Sequence, residues 1–257
     1  MRSIQQDRPV VLTIAGIDPS GGAGIVADIK TIAEFGCFPA AAITSITFQN
    51  AKRVFGVEHQ TAATLRAQVE PIVQDAKVAG AKTGMLPTAE IVAEVARLFR
   101  EEDLPAPVVD PVMVSTSGHD LIGDPAFQIL KNELLPVARL VTPNIPEAER
   151  LAGFPIQSEA DMRRAAEVIK SLGARAVLVK GGHRNSATDI LLDETGNLIE
   201  FREEFIDVGE VHGSGCTLSA AIAASLGKGM SLEAAVGAAK QYITQAIHRL
   251  HRLTDSV

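Results

Sequence analysis

The sequence predicts an α/β fold of three α/β/α layers around a mostly parallel central sheet. Two observations carry this: short apolar runs alternate with longer amphipathic ones from end to end, and a hairpin signal breaks the alternation late in the chain. The first unit joins VVLTIAG (10–16), strand-like in length and branching, to the helical pattern GIVADIKTIAEFG (24–36). AAAITSITF (40–48) supplies the next strand, and another ends at KTGM. A helix from about Thr88 to Arg100 follows, then strands PVVD (107–110) and RLVT (139–142), a helix over 158–172 and strand AVLVK (176–180). Helical crossovers between successive strands make the sheet mostly parallel. ATDILL (187–192) and NLIEFR (197–202) flank LDETGN, whose polar, Gly-containing centre predicts a hairpin and hence an antiparallel edge. The last fifty residues read as helix, broken at LGKGMS (226–231). No linker, repeat or low-complexity stretch intervenes, so residues 1–257 are expected to form a single domain.

Composition narrows the function classes. With 257 residues, 46% of them hydrophobic, the chain can bury one extensive core. A formal net charge of -7 argues against nucleic acid or an anionic membrane surface as partner, since both select clustered Lys and Arg. No apolar run reaches the roughly eighteen residues that a membrane span needs. MRSIQQDRPV is too polar and short for a signal peptide, so a cytoplasmic location is expected. Cys37 and Cys216 have neither C-x-x-C nor paired Cys/His spacing, and reduced thiols are expected rather than a disulfide framework or a zinc site.

The most informative run is HGSGCTLSAAIAASL (212–226), a Gly-rich turn feeding a small-residue helix. Gly213 and Gly215 are expected to permit positive φ and close ligand approach. The unpaired N–H groups of the first helical turn, at the positive end of the dipole, suit an anion such as phosphate. Cys216 sits at that junction, where a helix N-terminus is expected to draw a thiol pKa towards neutrality. The alternative is a buried cysteine serving as a small apolar filler.

In an open parallel sheet the ligand lies beyond the carboxyl ends of the strands. Here those ends read AGIDPSGGAG, TFQN, KTGM, VVDPVM, VTPNIPEAE and LVKGGH. GIDPSGGA (16–23) has the glycine spacing of a P-loop, but Gly22 and Ala23 stand where Lys and Ser/Thr are required. It reads as a wall or lid over a small ligand, or as a plain β-to-α turn. Asp110, before Pro111, could cap a turn or serve the site. Asn144 and Glu147 form N-x-x-E, which fits either a capping box or oxygen ligands for Mg²⁺ carrying substrate phosphates. Lys180 needs an anionic partner, which phosphate would supply. An anion hole over 213–216, a lysine, carboxylates and a base together point to phosphoryl transfer without a P-loop.

The strings AGIDPSGGAGIVADIKT, FQN, KTGML, VVDPVMVSTSG, VTPNIPEAE, LVKGGH and HGSGCTLSAA resemble, in order and spacing, the hydroxymethylpyrimidine/phosphomethylpyrimidine kinases of thiamin synthesis. That family has the ribokinase-like fold, and the likeness spans nearly the whole chain. The resemblance implies that Gln49 hydrogen-bonds the aminopyrimidine edge, with Met85 and Val112 as apolar walls and Gly16 beside them. Asp28, in ADIK, would meet the substrate side, or else be a surface or capping carboxylate. Cys216 would take the hydroxyl proton within the turn formed by Gly213 and Gly215, and Lys180 would bind phosphate. Asn144, Ser214 and Gly215 would contact ATP, and Asp110 and Glu147 would serve Mg²⁺. Two successive transfers, to the hydroxymethyl group and then to the monophosphate, follow from the resemblance, as does a homodimer. The sequence departs from the family at Ser214, where Thr is usual, at Phe48, where a small residue is common, and in the lead-in DVGEV. Pyridoxal or pyridoxine kinase is the near rival. A non-catalytic pyrimidine or nucleotide sensor and a cysteine hydrolase are rivals of other classes.

Overall fold

Strand β1 (Val10–Ile17) is central to the sheet because both of its faces are apolar. Val11 faces one core while Leu12 and Ile14 face the other, all three without exposed surface. The computed structural model describes residues 8–50, 53–114, 120–182, 187–203, 206 and 211–254.

Around β1, the strands β2 (Phe38–Gln49), β3 (Val54–His59), β4 (Val78–Thr83), β5 (Val108–Val109), β6 (Leu140–Val141), β7 (Val177–Val179), β8 (Asp189–Leu192) and β9 (Leu198–Phe201) build one sheet in the order β3-β2-β1-β4-β5-β6-β7-β8-β9. The six strands from β2 to β7 in that order run parallel, while β3 at one edge and β8–β9 at the other are antiparallel. The expected hairpin is β8–β9, turned by Asp193, whose N–H bonds the Asn197 carbonyl at 2.9 Å.

Helices α1 (Gly24–Glu34), α7 (Ser214–Gly227) and α8 (Leu232–Thr254) cover one face. Helices α2 (Ala62–Asp75), α3 (Ala89–Glu101), α4 (Asp124–Ile129), α5 (Ile145–Ala152) and α6 (Glu159–Ser171) cover the other. Period-two alternation feeds both layers: Val108 and Leu178 join the first core, Val109, Val177 and Val179 the second. Side-chain oxygens of Thr61, Thr88 and Ser158 cap α2, α3 and α6, satisfying N–H groups that lack an intrahelical partner. Helix α7 is buried throughout from Leu218 to Ser225. It lies so close to β4 that a Cβ on Gly80 would stand 2.5 Å from the Ala223 carbonyl oxygen.

Three features differ from the sequence expectation. A second antiparallel edge, β3, exists where none was expected: VFGVEH carries Gly56 in mid-strand and exposed Phe55 and Val57, so its pattern is weak. Helix α2 buries only Leu65 and Val69 and holds Pro71, leaving no broad apolar stripe to read. After α4 the chain winds through a π turn (130–134) and a 3-10 turn (135–137) before β6, an irregular path that simple periodicity does not encode.

Candidate active site

The parallel strands deliver their carboxyl ends to one side of the sheet, where the first turn of α7 meets them. Gly213 is the N-cap of α7 at φ +78°, and a Cβ on it would stand 1.9 Å from the Gly22 carbonyl oxygen. The two Gly-rich loops therefore touch backbone to backbone. Gly215 differs from expectation, since it lies inside the helix and is not at positive φ. Its missing side chain matters for space instead: a Cβ would lie 3.2 Å from Lys180 Nζ and 3.5 Å from Asp110 Oδ2. Ser214 N–H bonds the Val211 carbonyl at 3.2 Å, and Thr217 N–H bonds that of Gly213 at 2.9 Å. Among the described residues the N–H groups of Gly215 and Cys216 have no backbone acceptor, so the turn offers donors to an anion.

Lys180 and Asp110 face this turn from the ends of β7 and β5, the two strands that flank β6. Lys180 Nζ donates to Asp110 Oδ1 at 3.1 Å, and the carboxylate also accepts from Thr142 Oγ1 at 3.4 Å and Ser219 Oγ at 3.3 Å. Asp110 thus caps no helix and is held by Lys180, Thr142 and Ser219 instead. Burial works against the Lys180 charge, but Asp110 and then Glu147 outweigh it and hold the ammonium above the ordinary lysine range. Asn144, paired with Lys180 in a β-bridge, caps α5 in a full capping box: Glu147 N–H donates to Asn144 Oδ1 and Asn144 N–H to Glu147 Oε2, both at 2.9 Å. Burial pushes the Glu147 carboxyl up to about 7; Lys180 pulls the other way, and Asp110 adds to the rise. Two buried carboxyl groups thus share one lysine, and a divalent cation beside them would relieve the excess negative charge. Hard oxygen donors of this kind fit Mg²⁺ bound partly through water. Among the described residues no group of three His, Cys, Asp or Glu side chains could by itself cage a metal.

Cys216 corrects an expectation. Its thiol is not drawn towards neutrality but pushed up to about 11. Burial is the main cause; Lys82 opposes it, Asp28 and Asp110 reinforce it, and a hydrogen bond from Gly24 N–H opposes it again. Cys216 is half-buried at the start of α7, and desolvation of its thiol outweighs the helix dipole.

Asp28 corrects a second expectation. It has no exposed surface, its carboxylate accepts from Lys82 Nζ at 2.9 and 2.8 Å and from Thr13 Oγ1 at 2.6 Å, and α1 is capped without it. It is therefore neither a surface nor a capping carboxylate, and no part of it is open to a ligand. Nothing in ADIK distinguishes such a residue from an exposed one; the signal lay in Lys82, a lysine in the apolar strand VAGAKT.

The residues assigned to the substrate side stand at the ends of β1, β2, β4 and β5. Gly16 is buried, pairs with Ser45 just after a bulge in β1, and leaves room for Met85, whose Cε would be 2.6 Å from a Cβ there. The Met85 carbonyl accepts from Thr44 Oγ1 at 2.7 Å, which fixes the backbone around that side chain. Val112 is half-buried, with its N–H on the Asp110 carbonyl at 2.8 Å. Gln49 closes β2 and is half-buried, while Asp18, a residue the sequence reading passed over, lies buried just past β1 and accepts from His212 Nε2 at 2.9 Å. Residues 115–118 of VVDPVMVSTSG, His183 of LVKGGH and 207–210 of the lead-in lie outside the described residues. Among the described residues no helix is long and apolar enough to cross a membrane.

The sequence pattern of one protein family, described as phosphomethylpyrimidine kinase, matches residues 18–256. The chain belongs to the phosphomethylpyrimidine kinase family. A hydroxymethylpyrimidine/phosphomethylpyrimidine kinase of Rhizobium meliloti is 46% identical over 247 residues, covering 95% of this chain and 92% of that protein. The crystal structure of phosphomethylpyrimidine kinase from Clostridium difficile, 40% identical, superposes with a TM-score of 0.84 over 93% of this chain and 100% of that one. An ADP complex of Bacillus subtilis pyridoxal kinase, 38% identical, reaches 0.85 over 93% of this chain and 91% of that one. The ribokinase-like architecture expected of a family member is thus the one found.

Proposed function

We propose that this family member transfers the γ-phosphoryl group of ATP to the hydroxymethyl group of 4-amino-5-hydroxymethyl-2-methylpyrimidine, and then phosphorylates the monophosphate to the diphosphate for thiamin synthesis. The observation that carries the reading is the meeting of two half-sites. The anion-accepting turn at Gly213, Ser214, Gly215 and Cys216, with Lys180 and Asp110, lies at the same carboxyl-end edge of the sheet as Gly16, Gln49, Met85 and Val112.

In the first transfer the hydroxymethyl oxygen attacks the γ-phosphorus and a new P–O bond forms. The bond to the β–γ bridging oxygen breaks, ADP leaves, and the hydroxyl proton passes to Cys216 Sγ. Accepting it requires the thiolate, which Lys82 and the Gly24 N–H favour while burial resists it. Lys180, Asn144 and the N–H groups of the turn hold the phosphates. Asp110 and Glu147 are the residues that would hold Mg²⁺ through its waters. The ion supplies charge neutralisation on the phosphates when bound. In the second transfer the acceptor is a phosphate oxygen already ionised near neutral pH, its second pKa being about 6, so no base is needed.

The proposal includes one domain, a cytoplasmic location and a homodimer. Ile46 and Phe48 on one face of the β2–β3 edge, and Phe55 and Val57 on the other, are exposed and favour association. Pyridoxine phosphorylation is the second reading, favoured by the likeness to the Bacillus pyridoxal kinase.

The test is Mg²⁺-dependent ADP release with hydroxymethylpyrimidine, its monophosphate and pyridoxine offered separately. Diphosphate formation from the pyrimidine monophosphate is expected; turnover confined to pyridoxine would overturn the assignment.

A further inference from the structure

Asp18, directly after β1, has no part in the transfer described above. It is 3% exposed, and its carboxylate gathers donors from two distant stretches of chain. Ser20 N–H meets Oδ1 at 2.8 Å, Ala23 N–H meets Oδ2 at 3.0 Å, and His212 Nε2 meets Oδ2 at 2.9 Å. The Asp18 carbonyl accepts from Gly21 N–H at 3.1 Å, so the residue closes its own loop as well as reaching across to His212. Burial alone would raise its pKa, but the bonds from His212 and Ser20 outweigh it and hold the carboxyl below the usual range. Asp18 is therefore ionised near neutral pH.

An ionised carboxylate can only accept hydrogen bonds. His212 must consequently carry a proton on Nε2, which fixes a tautomer that distances alone leave open. The imidazole also lies against the loop, since a Cβ on Gly22 would stand 2.7 Å from His212 Cδ2. One residue further on, a Cβ on Gly213 would meet the Gly22 carbonyl oxygen at 1.9 Å. At the foot of the loop Ile17 pairs with Gly24 in a β-bridge, and a Cβ on Gly24 would stand 2.3 Å from the Gly16 carbonyl oxygen. The loop thus runs from Gly16, assigned to the substrate side, to the residue before the N-cap of α7, on the phosphate side. We propose that Asp18 and His212 are positioning residues whose hydrogen bond holds the anion-accepting turn at a fixed spacing from the substrate side, so that acceptor oxygen and γ-phosphorus meet in line. The inference rests on the phosphoryl transfer proposed above and deepens it. Neither residue is asked to touch substrate or phosphate. Cutting the bond leaves each half-site its own ligand and releases only their spacing, and a misplacement of about 1 Å costs about a hundredfold in rate.

The experiment compares the wild type with His212→Leu and His212→Gln by Mg²⁺-dependent ADP release with hydroxymethylpyrimidine. The amide nitrogen of Gln stands as many bonds from Cβ as Nε2 does in His and can donate to Asp18; Leu fills similar space and donates nothing. His212→Leu is expected to lose about a hundredfold in kcat, with KM for both substrates changed by less than about threefold. His212→Gln should return kcat to within about fivefold of the wild type. The double variant Asp18→Asn/His212→Leu should be no slower than the slower single variant, because both cut the same bond. Equal kcat in the Leu and Gln variants, or a loss seen in KM alone, would reduce the pair to a scaffold of its loop and overturn the inference. A wild type that releases no ADP with any acceptor would overturn the transfer reading and the positioning role with it. The bond itself is read without variant or turnover, from long-range ¹H–¹⁵N NMR of the His212 ring. A protonated Nε2 throughout the neutral range is expected; a bare Nε2 would overturn the inference even if no variant folds.

Discussion

Lys82 Nζ lies 2.9 and 2.8 Å from the two carboxylate oxygens of Asp28, and neither side chain has any exposed surface. Burial disfavours the Lys82 charge, yet Asp28 and then Cys216 hold the ammonium well above the ordinary lysine range. The pair spans β4 and α1 beneath the thiol. Removing one partner leaves the other charged, buried and alone, so Lys82→Met or Asp28→Leu should each cost about 3–5 kcal/mol. The double variant Lys82→Met/Asp28→Leu should lose clearly less than the sum. Urea unfolding of the four proteins checks this; additive losses would show that the pair is not coupled.

Cys216 presents a thiol pushed up to about 11, so only about one molecule in ten thousand carries the thiolate at pH 7. If the thiolate accepts the hydroxyl proton, the first transfer should speed up about tenfold per pH unit between pH 7 and 9, while the second stays nearly flat. Cys216→Ala should then lose at least about a hundredfold of the first activity and far less of the second. Equal losses in both steps, or a flat profile for the first, would assign Cys216 an architectural role.

Glu147 reaches about 7 in the folded chain, against an ordinary value of 4.5. The sign follows from where each state ionises. Below about 4.5 both states are protonated, and the contribution present there is lost as pH rises through about 7, because the unfolded state ionises first. Glu147→Gln removes that penalty and keeps the side-chain half of the capping box, which accepts Gln as readily as Glu. The ligand-free variant should therefore be more stable than the wild type at pH 8 by about 3 kcal/mol, with the gain vanishing near pH 4. Turnover should fall at the same time, since the variant lacks a carboxylate for Mg²⁺. Thermal denaturation at both pH values, beside ADP release, tests the pair of effects.

Gly213 and Gly215 should respond differently to alanine. At Gly213 the new Cβ meets a backbone oxygen at 1.9 Å on a residue at φ +78°, and neither loop can relieve it without parting from the other. A stability loss of about 3 kcal/mol or more and near-complete loss of turnover are expected. At Gly215 the Cβ meets only the flexible end of Lys180 at 3.2 Å and gains helix propensity. Stability should hold within about 1 kcal/mol while KM for ATP rises about tenfold, because the lysine is displaced. Melting curves and ATP titrations of the two variants separate these outcomes.

The parallel core and the motif-bearing strand ends were legible because β1, β5, β6 and β7 carry apolar residues on both faces and end in Gly-rich or polar tips. The hairpin at Asp193 was equally plain. Strand β3 and helix α2 were not, since each is held by one side only and carries a residue, Gly56 or Pro71, that argues against its own element. At the site, residue types announced Asp110, Asn144, Glu147 and Lys180, but the protonation of Cys216 and the burial of Asp28 depend on which groups the fold stacks against them. Lys82, Thr13 and Asp28 come from three different stretches of chain, and no local pattern marks their convergence.

Ala220, Ala221, Ala223 and Ala224 of α7 have no exposed surface, and Gly80 admits the helix to contact distance with β4. A column of methyl groups seated this tightly leaves α7 little slack against the sheet, so under the proposed function it would act as a fixed stop that presents the donor phosphate at one height. The second acceptor is longer than the first by one phosphoryl group. Under that same proposal the pyrimidine ring would have to withdraw by that length between the two reactions, and the proposed wall of Gly16, Met85 and Val112 would have to offer it two successive berths.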